Sequence, residues 1–107
     1  MWNSEELSAR YLHQAENAER YLAEVRGKLK RDRSYEHVFD EHMARFYVYN
    51  YLHGRTFLQT REGLLRELLA MKRGTLPADP EVFDRKRFEG HYRTYVEGEI
   101  RKISKEI

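Results

Sequence analysis

Five histidines and eighteen carboxylates in a chain of 107 residues are enough for metal binding or acid–base catalysis, and their spacing decides whether either assembles. His37 has Asp40 and Glu41 three and four residues on, and His13 has Glu16 three on, so each set can share one helix face. A carboxylate-bridged two-metal bundle needs Glu-x-x-His on two helices and a further Glu on each of two others. None of the five histidines has Glu three residues before it, and no His-Glu-x-x-His occurs. These groups read instead as a solvated helix face paired at i, i+4, and no metal or other cofactor is expected. The four serines (Ser4, Ser8, Ser34, Ser104) lie in or at the ends of helical segments without a Gly-x-Ser-x-Gly elbow. The six glycines are scattered, so no phosphate-cradling loop forms.

Two other constellations are suited to binding. Arg26, Lys28, Lys30, Arg31 and Arg33 crowd into RGKLKRDR with one acid, more positive charge than a helix C-terminus needs. They are candidate contacts to a nucleic-acid backbone, and Arg61, Arg66, Lys72, Arg73, Arg85, Lys86 and Arg87 extend that surface if the helix ends meet. The net charge of +2 does not by itself announce a polyanion partner. The second constellation is RFYVYNYLHGRTFL, residues 45–58, in an otherwise highly charged chain. Phe46 and Tyr49 continue the stripe of Tyr35, Phe39 and Met43, whereas Tyr47 and Tyr51 lie on another face with no assured intramolecular partner. With Arg45 and Arg55 they form a candidate partner-binding face, because tyrosine joins an apolar body to a hydroxyl that needs a partner or water. A central helix buried on two sides is the competing explanation.

Helices must position all of these. Leu7, Tyr11, Ala15, Ala18, Leu22, Val25 and Leu29 recur at spacings of four and three and predict a helix over about 4–32. Asn3 with Glu6 forms a capping box, and Trp2 with Leu7 a hydrophobic staple, which gives the lone tryptophan a structural task. A second helix is expected over 35–53, stopped by Gly54. A third, over 57–73, opens on Thr56 and Gln59 and ends at Gly74, with Leu64, Leu65, Leu68, Leu69 and Met71 as its apolar face. The alternative is one helix from 35 to 73 with Gly54 inside it, which costs about 1 kcal/mol relative to Ala. A fourth helix is expected over 80–106, where Asp79 and Pro80 mark its start and Phe88, Tyr92, Val96, Ile100, Ile103 and Ile107 form its stripe. The expected fold is all-α, a bundle of about four helices forming a single domain over residues 1–107. Without cysteine, disulfide scaffolds and thiolate chemistry are excluded and a reducing compartment fits. No apolar run approaches the ~20 residues of a membrane span, and a cytoplasmic protein is expected. Abundant Arg and Glu beside few Asn and Gln suit a thermophilic source.

In the last segment Arg85 is followed by His91 and Tyr92 in RKRFEGHY. An Arg, four to six residues and then His in a late helix of a small all-helical domain resembles the motif of HEPN ribonucleases. The first segment, ARYLHQAENAERYL, is similar to the opening helix of that family. The resemblance implies a dimer cleft at which the Arg and His of two protomers cleave RNA without metal, with Arg85 and His91 catalytic and Tyr92 supporting. Lys86 stands where a different polar residue usually follows the Arg. Without the resemblance, Arg85 and His91 read as the solvated flank of an amphipathic helix.

The leading expectation is a non-enzymatic helical interaction module that self-associates or joins a larger complex. It would bind a protein or nucleic-acid partner through the aromatic second helix and nearby arginines. The alternative is a HEPN-like ribonuclease.

Overall fold

The computed structural model describes residues 2–74, 76–77 and 81–105. They form four α-helices, α1 (Ser4–Leu29), α2 (Glu36–Thr56), α3 (Arg61–Arg73) and α4 (Arg85–Ser104), with a short 3-10 turn at Arg33–Tyr35 before α2. The all-α bundle is thus observed, and two separate helices lie between residues 36 and 73.

Helix α1 opens as its sequence predicts. Asn3 is extended and its side chain accepts the Glu6 amide at 3.0 Å, satisfying one of the four amides a helix start leaves unpaired. Trp2 reaches beyond its own helix: its indole N–H donates to the Gln59 carbonyl at 2.8 Å and ties the start of α1 to the turn between α2 and α3. The helix ends at Leu29, not at residue 32. Asp32 is extended and accepts the Ser34 amide at 2.9 Å, so it caps the next turn and cannot continue α1.

Helix α2 runs three residues past its expected end at residue 53, through Gly54 to Thr56. A Cβ at Gly54 would meet nothing within 4 Å, and no glycine has positive φ, so this glycine is an ordinary helical residue. The chain turns instead at Leu58, whose φ of 64° places a leucine in the left-handed region. Thr56 does not cap α3. It is buried, and its hydroxyl donates back to the Leu52 carbonyl at 2.6 Å. Thr60 caps α3 by accepting the Gly63 amide at 2.9 Å, which moves the start from 57 to 61. The end at Gly74 matches the sequence reading, because a Cβ there would lie 2.7 Å from the Ala70 carbonyl oxygen.

Helix α4 starts at Arg85, five residues later than expected. Asp79 and Pro80, proposed as its start, lie outside the described residues, as does Ile107 at the end of its stripe. The delay has a tertiary cause. The buried Asp40 carboxylate of α2 accepts the amides of Phe83 (2.8 Å) and Asp84 (2.9 Å), which keeps both out of a helix, and the extended Asp84 then caps α4 through the Arg87 amide at 3.1 Å.

Residue pairs set the layout. Ser8 meets His53, and Tyr11 meets Tyr49, so α1 runs antiparallel to α2. Asp40 meets Arg87 and Tyr49 meets Glu99, so α2 and α4 are parallel. Arg61 donates to the Ile103 carbonyl and Lys72 lies 3.8 Å from Glu97, so α3 is antiparallel to α4. Helix α2 is the central one. Phe39, Met43, Ala44, Val48, Tyr49 and Leu52 are all buried on it, packed among Leu22 and Val25 of α1, Leu64 and Leu68 of α3, and Phe88, Val96 and Ile103 of α4. Among the described residues, no helix is long and apolar enough to cross a membrane.

Candidate functional site

The central position of α2 accounts for most of its rings. Tyr49 is buried and its hydroxyl donates to Glu99 Oε2 at 2.7 Å, while Tyr11 of α1 donates to Glu99 Oε1 at 2.9 Å. Burial first and then the Glu99 carboxylate push the Tyr49 phenol far above its usual range, so it remains a donor. Tyr95 is pushed up by burial and then by Glu41, against the opposing pull of Arg45.

The premise that Tyr47 and Tyr51 lack intramolecular partners is overturned. The Tyr47 ring stands edge-on to Phe88 of α4 at 5.9 Å. Tyr51, 37% exposed, donates to Glu67 of α3 at 3.4 Å, and the Arg55 guanidinium lies 4.0 Å above its ring. These contacts come from α3 and α4, which the periodicity of α2 cannot reveal. Arg45 is apart from both tyrosines, donating through Nε (3.2 Å) and Nη2 (2.6 Å) to Gln14 Oε1 of α1.

Two open clefts flank the α1–α2 seam. The first, about 410 Å³, has Leu22 of α1 with Met43, Phe46 and Tyr47 of α2 as its apolar lining, while Glu19, Arg26 and Glu81 supply its charge. Arg26 lies 3.2 Å from Glu81 and 5.4 Å from the Phe39 ring centre. Phe83, two residues beyond Glu81, is 52% exposed and packs one edge on Phe39 at 5.3 Å. The second cleft, about 770 Å³, is lined by Asn17, Arg20, Tyr21 and Glu24 of α1 and by His42 and Arg45 of α2. There the Tyr21 and His42 rings stack at 4.9 Å with 7° between planes. Burial lowers the His42 pKa from its ordinary value; Glu41 opposes the shift, and Arg45 and His91 add to it.

The C-terminal end of α1, the 3-10 turn and the N-terminal end of α4 come together at one pole of the bundle, where Arg26 of α1 reaches Glu81 and Asp40 of α2 holds Phe83, Asp84 and Arg87. The basic residues there are partly compensated. Arg26 pairs with Glu81, Arg33 with Glu36 at 3.2 Å, Arg87 with Asp40 at 2.7 Å, and Lys28 lies 5.2 Å over the Tyr35 ring. Lys30 and Arg31 are exposed on this pole. Arg61 belongs to the opposite pole, beside Ile103.

Arg85 and His91 are not brought into mutual contact within the chain. Arg85 donates to Glu89 at 3.1 Å and to the Pro77 carbonyl at 2.8 Å. His91, six residues on, is half-buried and close enough to His42 to influence it. Tyr92 is buried and packs on Phe88 at 6.0 Å, and its phenol is pushed up by burial and then by Tyr51. No group of three or more His, Asp or Glu placed to hold a metal occurs among the described residues.

Sequence reasoning did not single out Arg20, Tyr21, His42 or Phe83. The available signal was negative: Tyr21 is a large ring off the α1 stripe, and Phe83 is a large ring in a segment without helical spacing. Compared with known proteins, the chain matches no protein-family model, no curated protein and no solved structure, so its resemblance to HEPN ribonucleases rests on Arg85, His91 and the first-helix residues alone.

Proposed function

We propose that the protein is a non-enzymatic, self-associating helical interaction module whose contact face is the smaller cleft and the aromatic ring beside it. The observation that carries this reading is the juxtaposition of a knob and a hole. Phe83 is half exposed against Phe39 and lies two residues from Glu81, which lines an open cleft of about 410 Å³ with Leu22, Met43, Phe46 and Tyr47. A two-fold interface needs one patch that complements itself, and an exposed aromatic beside an apolar recess meets that condition. Methionine suits the lining because its unbranched chain adapts to an incoming ring. Glu19 and the Arg26–Glu81 pair form a charged rim around the apolar floor. The absence of cysteine favours a reducing compartment such as the cytoplasm.

Light scattering across a concentration series tests the proposal. The expected result is a monomer–dimer equilibrium whose dissociation constant rises at least tenfold in Phe83→Ser. That side chain is half exposed, and its backbone amide, which Asp40 uses, is retained. A chain that stays monomeric to about millimolar concentration, or a dimer indifferent to Phe83→Ser, would sink the reading. Ribonuclease chemistry at Arg85 and His91 has less support, because the Arg85 guanidinium is engaged by Glu89 and Pro77. RNA incubated with the chain in EDTA is expected to remain intact.

A further inference from the structure

The larger cleft, on the other flank of the α1–α2 seam, holds groups that the fold leaves incompletely used. His42 Nδ1 is buried with no hydrogen-bond partner, although buried polar atoms are rarely left so. Arg20 donates to Asn17 Oδ1 and Arg45 to Gln14 Oε1. Both acceptors are neutral amides, and among the described residues neither guanidinium has a carboxylate within ion-pair distance. Two guanidinium groups without a direct ion-pair partner thus line one recess. Tyr21 is 49% exposed, with one face stacked on His42 and the other toward solvent. Glu24 is the single carboxylate of the lining. The volume of about 770 Å³ falls in the usual range for small-ligand sites.

We infer that this cleft binds a nucleoside monophosphate unit, with the phosphate between Arg20 and Arg45 and the base stacked on the open face of Tyr21. Guanidinium groups match phosphate through forked, charge-assisted hydrogen bonds. An aromatic ring accepts any base by stacking. Glu24 can accept only from a donor, which a ribose hydroxyl or an exocyclic amino group provides. A peptide carboxylate would use the arginines but leave Tyr21 without a planar partner. The unit can come from a free nucleotide or from a single strand of nucleic acid, since both present the same phosphate and base.

Calorimetric titration of the full chain at low salt tests the inference with three probes: adenosine 5′-monophosphate, inorganic phosphate and a short single-stranded oligoadenylate. Adenosine monophosphate is expected to bind at least tenfold more tightly than phosphate and to shift the His42 imidazole resonances. Arg20→Gln and Tyr21→Ala are each expected to weaken it at least fivefold. Both side chains are exposed, so circular dichroism should report an unchanged fold. Tighter binding of the mononucleotide assigns the site to free nucleotides, and tighter binding of the oligomer assigns it to strands; both support the inference. No binding by either at millimolar concentration overturns it. Binding that matches inorganic phosphate and is indifferent to Tyr21→Ala also overturns it.

Discussion

The seam between α2 and α4 and the larger cleft between α1 and α2 treat polar groups in opposite ways. Toward α4 they are sealed and fully engaged: Asp40 accepts from two backbone amides and the Arg87 guanidinium, and Glu99 accepts from Tyr11, Tyr49 and Lys102. Toward the larger cleft, His42 Nδ1 has no partner and two arginines donate only to neutral amides. The difference separates what holds the bundle together from what is free to act. A completed buried network resists change, because removing one member strands the others, whereas an incomplete one can still take up a ligand.

The strongest way to break this comparison is at Asp40. Asp40→Ala leaves the Arg87 guanidinium and the amides of Phe83 and Asp84 without their carboxylate, and is expected to cost about 3–5 kcal/mol in urea unfolding. A loss below about 1 kcal/mol would mean that the sealed flank is not what secures α4.

A second test uses alkali. Tyr49, Tyr95 and Tyr92 all have phenols pushed above their ordinary range, chiefly by burial. In the unfolded chain they ionise near pH 10, while the folded chain keeps them protonated. Above that pH the unfolded state binds fewer protons than the native one, so the stability from these groups is complete below about pH 10 and is lost as pH rises beyond it. The urea midpoint should fall between pH 9 and pH 11, and less steeply in Tyr49→Phe. A flat profile would show that the tyrosines are not sealed.

The smallest effect is expected at the open flank. His42→Leu removes an unpartnered nitrogen and should change stability by less than about 1 kcal/mol at pH 7.5. It should also remove an acid-side slope. The unfolded histidine takes up a proton near pH 6.5 that the folded ring resists, so its contribution is intact above that value and declines as pH falls below it. A loss of several kcal/mol in His42→Leu would place His42 with the sealed flank.

Much of the fold was readable in local spacing. The α1 stripe, the Asn3 cap, the break between α2 and α3 and the stop at Gly74 all depend on neighbours within a few residues, where helical geometry acts directly. The misplaced boundaries depend on how particular side chains are buried and bonded in the folded chain. Gly54 reads as a stop until Thr56 is seen to be buried and bonded back to Leu52. The fourth helix reads as beginning before Arg85 until Asp40, more than forty residues away, is seen to take the amides of Phe83 and Asp84. Of the sequence-derived aromatic face, Tyr47 lies in the lining of the smaller cleft, whereas Tyr51 is engaged by Glu67 and Arg55.

By itself the sequence determined the fold class, the capped start at Asn3, the stop at Gly74 and the absence of thiol chemistry. These follow from backbone hydrogen bonding, periodicity and composition. Only the tertiary structure decided which charges are neutralised and which rings are covered. That depends on what crosses from a neighbouring helix, as Glu99 does to Tyr49, Asp40 to Arg87 and Tyr21 to His42. Pairings between helices carry no periodic trace along the chain.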